Sequence, residues 1–323
     1  MKPMMQLLEQ NQPTRLVVLL AMAFTGCGQT PDQNATSAKH RITLGVSCQN
    51  LQNEFVINIQ AAMRAEAKKL EVDLVESDGQ GNAENQISQT ENFIARGVDA
   101  IILNPRDKEG SARAVDLAVQ AHKPIVAVNA LVSNLDKANA YVGAEDAEAG
   151  RIAARRIMDV LQGKGEIAVI HGPNGHSAGV QRSNGIRQVL ANHPDAKIVL
   201  EQTANWDRAQ ALNLMENWLA SGRKIDAVIV ENDEMALGAY EAIETVGKQK
   251  KIVVIGIDAI PDALKAVGDG KLTGTVFQDA RGQGSMAVDL AAQLAAGKPV
   301  KHDNYHPFQL VTKENLANFL TSN

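Results

Sequence analysis

Two doubly wound α/β lobes, each a parallel sheet with helices on both faces, are the fold class this sequence predicts. Three observations carry the expectation. From Arg41 onward, short β-branched runs alternate with amphipathic helical stretches. The strand-like runs are near-continuously apolar, as strands buried on both faces must be. The alternation breaks once, at a long helical stretch, and then restarts, and 323 residues suffice for two ordinary cores.

Taken in order, "ITLGVS" precedes a helix containing "INIQAAMRAEAKKL", and "VDLVES" precedes "AENQISQTENFIARG". "DAIILN" precedes "GSARAVDLAVQAH", and "PIVAVN" ends the first set. After "AYVGA" the long helix "EDAEAGRIAARRIMDVL" marks the break. The second set runs through "EIAVIH", "KIVLEQ", "DAVIVE" and "IVVIGI", each followed by a helical segment. A single eight-stranded βα barrel accommodates the same count.

The residues before Arg41 stand apart. Lys2 and Arg15 precede nine apolar residues, Leu16 to Phe24, then Thr25, Gly26 and Cys27. Nine residues are too few to span a bilayer, which takes about 20, and match a signal-peptide core. Small residues before a cysteine resemble a bacterial lipobox, which implies cleavage before Cys27 and acylation of its thiol; an ordinary secretory signal is the alternative. Glu9 is unusual in such a segment, so that translation from Met4 or Met5 also fits. Residues 28–40 are polar and aperiodic and read as a flexible tether. With Cys27 acylated, Cys48 is the one remaining thiol, which leaves no disulfide framework and no CxxC metal site. Cys48 reads as a small apolar filler. A net charge of −5 argues against a broadly basic nucleic-acid surface.

Ligands of open α/β sheets sit beyond the carboxyl ends of the strands, so the residues just after each apolar run are the informative ones. They are Asn53 and Phe55 in the first loop, Asn104, Asn129, Trp206, Asn232, Asp258 and Gln278. Amides and a carboxylate exchange paired hydrogen bonds with vicinal hydroxyls. Aromatic faces cover the C–H side of a sugar ring. Any one of these residues is also an ordinary turn or cap residue; the coincidence over many strand ends points to a neutral, hydroxyl-rich ligand.

The stretches "TANWDRAQAL", "NDEMALGA" and "GIDAIPDALKAVGDGKLTGTVFQ" resemble the type I periplasmic sugar-binding proteins, in particular the ribose-binding group that feeds ABC transporters. The resemblance covers nearly all of residues 41–312. It implies two Rossmann-like lobes rather than a barrel, joined by three crossovers near Ala144, Gln278 and Tyr305. The expected organisation is a signal peptide over 1–27, a tether over 28–40, an N-terminal lobe of 41–144 plus 279–305 and a C-terminal lobe of 145–278 plus 306–323. It implies a monomeric, non-catalytic receptor without cofactor or metal, lipid-anchored in the cell envelope. Such a receptor closes its hinge on a sugar or polyol and delivers it to a permease.

Position by position, Asn53 and Phe55 match the family's Asn-Pro-Phe-Phe segment, with Glu54 and Val56 replacing the other two residues. Asn104 matches a cleft amide, Arg182 the arginine that donates to ring oxygens, Trp206 an aromatic wall, and Asn232, Asp258 and Gln278 its polar contacts. The Asp-Arg pair of ribose binders is Asn129-Ala130 here, and a second cleft aromatic is Ile257. Those departures put ribose in doubt, and the C-terminal part looks like members assigned to cyclitols such as inositol. A lipid-anchored sugar sensor that addresses a chemoreceptor or kinase would use the same cleft. A LacI-type regulator would begin with a basic helix-turn-helix module, not a signal-like segment. No enzyme motif accompanies His171 and His176 in "HGPNGHSAG", where His176 or Ser177 is expected to cap a helix. Asp233 is expected to cap the helix after "VIVEN", while Glu231 has no evident task.

Overall fold

The computed structural model describes residues 40–320, so that the signal-like segment with Cys27 and all but the last residue of the tether lie outside the described residues. From Arg41 onward the described residues form one compact unit. It begins with β1 (Thr43–Cys48), α1 (Glu54–Leu70), β2 (Asp73–Asp78), α2 (Ala83–Ala95), β3 (Ala100–Leu103), α3 (Ala112–Gln120), β4 (Ile125–Asn129) and β5 (Ala140–Gly143). Then come α4 (Asp146–Leu161), β6 (Gly165–His171), α5 (Ser177–Leu190), β7 (Ala196–Thr203), α6 (Arg208–Ala220), β8 (Ala227–Val230) and α7 (Asp233–Thr245). The unit ends with β9 (Val253–Ile255), α8 (Pro261–Gly268), β10 (Thr275–Phe277), α9 (Ala280–Ala295), β11 (Asp303–Tyr305) and β12 (Gln309–Val311).

The strands form two open sheets, which rules out the barrel. The first runs β2-β1-β3-β4-β5-β11, all parallel. The second runs β7-β6-β8-β9 in the same sense. Parallel bridges Ile255–Gly274 and Asp258–Phe277 extend it to β10, and β12 pairs antiparallel with β10. Strands β3, β4 and β8 are buried at every position, as their unbroken apolar runs require. Helices cover both faces. On the first sheet α1 packs against α9, and on the second α4 lies on α5 while α6 lies on α7.

In each sheet the winding direction reverses beside one strand, β1 in the first and β6 in the second. Both reversals open toward the carboxyl ends, where crevices form. The chain passes from the first sheet to the second between β5 and α4, returns between β10 and α9, and passes again between β11 and β12.

Candidate functional site

The loops at the carboxyl ends of the two sheets meet around a cavity of about 300 Å³, its open mouth included. Asn53, Phe55, Asn129, Arg182, Trp206, Asn232, Asp258 and Gln278 all lie in its wall. Gln49, His176 and Ala178 join them. Asn104 does not reach the wall. It stands one layer behind, where its Oδ1 accepts from the Gln49 amide and its Nδ2 donates to the Val128 carbonyl and toward Asn129. The first-lobe wall is therefore fixed from behind by an amide that satisfies two strand ends.

Several wall residues do two jobs. Asn53 Oδ1 accepts from the Val56 amide at the start of α1, and Asn232 Oδ1 accepts from Met235 at the start of α7. Asn232, not Asp233, is thus the cap of α7. The Asp233 carboxylate turns inward instead, accepting from the Ile260 amide and the Thr275 hydroxyl. Burial pushes Asp233 up to about 7. With its oxygen spent on the cap, Asn232 keeps a buried Nδ2 without a partner, and Gln278 likewise keeps its Nε2. Two buried N–H donors at the wall of one cavity are costly unless something accepts from them.

Arg182 is buried at the centre of the second-lobe wall. Nε donates to Asp146 at 3.0 Å, one terminal nitrogen to the Glu231 carbonyl and the other to Gln278 Oε1 at 3.0 Å. Asp258 lies 3.9 Å from it, and the guanidinium stands 5.7 Å from the Trp206 ring centroid. The position depends on helix packing. At the α4–α5 crossing, Gly150 abuts the Arg182 carbonyl and Gly185 that of Ala147, and any side chain there would collide with backbone. Burial drives the Asp258 carboxyl well above its ordinary range, with Arg182 opposing and Asp233 and Asp146 adding to the rise. Arg182 thus stands among a surplus of buried carboxyls, Asp146, Asp258 and Glu231.

Glu231 has a structural task. Fully buried, it accepts from the Gly172 amide at 2.8 Å and the Ser183 hydroxyl at 2.6 Å, and pairs with His171 Nδ1 at 3.1 Å. Burial works against the charge of His171, but Glu231 and Glu201 outweigh it and hold its pKa above the usual value. This network clamps the loop after β6 against β8 and holds the Glu231 carbonyl toward Arg182.

His176 caps α5 by accepting from the Ala178 amide through Nδ1, while Nε2 meets Gln49 Oε1 at 3.0 Å across the cleft. Its ring stands edge-on to Trp206 at 5.5 Å. Burial, with Arg182 and Arg106 adding to it, lowers its pKa to about 3, so the ring is neutral. A neutral ring with Nδ1 accepting must carry its proton on Nε2, which then donates to Gln49. Two further bonds cross the cleft, Lys108 N to Gly175 O at 2.9 Å and Leu131 N to Ser177 Oγ at 2.8 Å. Asn129, Trp206 and Asp258 all have positive φ, the kind of local strain that gathers at ligand sites. Sequence reasoning found the strand-end amides but passed over Gln49 and His176 as wall residues; the available signals were the place of Gln49 directly after β1 and, for His176, the neighbouring Gly172, Pro173 and Gly175, a tight turn after a strand.

Comparison with known proteins places this geometry. Residues 44–299 match the family model described as periplasmic binding protein domain. A candidate rhizopine-binding protein of Rhizobium meliloti is 42% identical over 295 residues, covering 89% of this chain and 96% of that protein. A xylitol-binding protein of Mycolicibacterium smegmatis is 35% identical over 298 residues, covering 92% and 84% respectively. An ABC transporter solute-binding protein of Bacillus halodurans C-125, solved with bound myo-inositol, superposes with a TM-score of 0.86 at 42% identity, covering 89% of this chain and all of that one. The matched span takes in strands β2 to β10 and every wall residue of the cavity, and the chain belongs to the periplasmic binding protein family.

Proposed function

We propose that this protein is the solute-binding component of an ABC transporter, that it encloses a small neutral sugar or polyol between its lobes, and that it hands the solute to a permease without chemistry. The observation that carries the reading is the pair of unpartnered buried donors, Asn232 Nδ2 and Gln278 Nε2, at the wall of a cavity that also holds Arg182 and Asp258. Ring hydroxyls accept from the amides and the guanidinium and donate to the carboxyl. Trp206 and Phe55 offer apolar faces to ring C–H groups.

A cyclitol suits this wall better than ribose. Asn129-Ala130 in place of a charged pair leaves amide chemistry on that side, and the Bacillus halodurans relative, 42% identical, was solved with myo-inositol. Lobe closure, with bonds forming across the cleft only in the closed state, is the motion that would report occupancy to a partner. Cys27 is the proposed site of lipid attachment, residues 28–40 the tether, and a monomer the working form.

Thermal unfolding of the compact unit from Arg41 onward, against pentoses, hexoses, cyclitols and alditols, tests the reading. A ligand at a hundred times its Kd adds about 2.7 kcal/mol to stability and raises the melting temperature by a few degrees. No shift across the panel would sink the proposal. Stimulation of a permease ATPase by the liganded protein separates transport from sensing.

A further inference from the structure

A second chamber of about 800 Å³, open to solvent, adjoins the inner cavity and shares Gln49, Asn53 and Trp206 with it as common walls. Both lobes contribute: Asn50, Gln52 and Arg106 from one, Pro173 and Asn205 from the other. The backbone builds the partition deliberately. Asn205 and Trp206 both adopt left-handed conformations, φ 56° and 63°, which lay the indole against Gly172 and between the chambers.

Arg106 is the unusual lining residue. Its backbone amide donates to Gln86 Oε1, but among the described residues no hydrogen bond or ion pair engages its guanidinium. Asp107 beside it turns Oδ1 to the Glu109 and Gly110 amides. Asp207, the one carboxylate in the chamber wall, spends Oδ1 on the Gln210 amide as the cap of α6. Burial lowers the pKa of Arg106 and outweighs the opposing charge of Asp107, which makes no ion pair with it, and the Arg106 charge is felt by His176 across the partition. A half-buried, unpaired guanidinium is a fork of donors waiting for an oxyanion.

We infer that the outer chamber is a second subsite, in which Arg106 and the amides around it receive a phosphate or carboxylate carried by the ring that the inner cavity holds. The inference rests on the sugar or polyol reading and departs from it in one respect: the full ligand is a ring that bears an anionic substituent, and the neutral rings named above are partial ligands. The substituent would pass the Gln49–Trp206 partition while the ring keeps the donors of Asn232 and Gln278.

Calorimetric titration of the full chain, wild type and Arg106→Gln, tests it with myo-inositol, its regioisomeric monophosphates, glucuronate and inorganic phosphate. At least one anionic ring should bind the wild type, and its affinity should fall about ten- to a hundredfold in Arg106→Gln, while a neutral ring changes less than about twofold. The gain should also shrink as salt is raised. Whether a phosphate or a uronate responds identifies the substituent. Binding of neutral rings with rejection of every anionic one would overturn the subsite and leave the receptor reading intact. Equal affinity of the anionic ring in both proteins would overturn it too. Inorganic phosphate that binds additively with myo-inositol would mark an anion site independent of the ring, which also overturns it. If no ring of either kind binds, the receptor reading fails and this inference falls with it.

Discussion

Asp258 is poised between stability and binding. Its folded pKa is raised by burial, so the stability linked to it is full below the unfolded value of 3.8 and is lost as pH rises through the folded value. At neutral pH the ligand-free protein therefore bears a destabilising carboxyl that the ligand's hydroxyls relieve. Asp258→Asn should leave the ligand-free melting temperature at pH 7 equal to or above wild type and flatten its decline between pH 4 and 7. The same variant should lose about ten- to a hundredfold in affinity for a polyol, because the amide nitrogen that replaces one carboxyl oxygen cannot accept from a ligand hydroxyl. A lower melting temperature in a scanning calorimeter would contradict the sign of this argument. At this scale the sequence is a fair guide. Asn232, Asp258 and Gln278 follow apolar runs directly and are legible as site residues. Asn104 was not separable from them, because only the fold shows that Gln49 and Val128 absorb its amide. The His176–Gln49 bond joins residues 127 apart and leaves no local pattern. Glu231 looks idle until His171, 60 residues away, is brought beside it.

At the scale of elements, the turn between β6 and α5 is the part that meets the opposite lobe. Gly175 there has φ 82°, and a methyl group at its Cβ position would run into the Asp107 carboxylate of the facing lobe. Gly175→Ala should therefore oppose closure more than folding. Circular dichroism and a melting temperature within a few degrees of wild type should accompany polyol affinity about tenfold weaker or worse. Wild-type affinity in a folded variant would mean that this turn does not close against Asp107. The strands and most helices were readable because their apolar runs and caps are local. Short β11 and β12 were not, since "DNY" and "QLV" have no periodicity and exist as strands only through β5 and β10.

For the whole molecule, the bonds across the cleft couple acidity to closure. A folded pKa of about 3 for His176, against 6.5 unperturbed, means that its contribution is present above 6.5 and is lost as pH falls toward 3. The buried, neutral ring belongs to the closed arrangement, where it reaches Gln49, so acid should favour opening. Polyol affinity measured by calorimetry should weaken steadily from pH 6.5 to pH 4.5, and the slope should be smaller in His176→Asn, which keeps a capping side chain. Parallel slopes in the two proteins would assign the effect to other groups.

The path of the chain between the sheets also bears on how the protein is made. Strand β5 waits for its outer neighbour β11, α1 waits for α9, and β10 waits for β12, while all of residues 144–277 intervene between the first sheet and its own closing helix. A ribosome delivers these pieces in order, so neither half can finish while the nascent chain is still short of residue 303. For most of synthesis an apolar helix face and a bare sheet edge stand open, which is the condition that recruits holding chaperones and invites mispairing. Loss of the segment 303–311 would injure both halves at once, and a stalled translation product ending there should be degraded rather than accumulate as a stable single lobe.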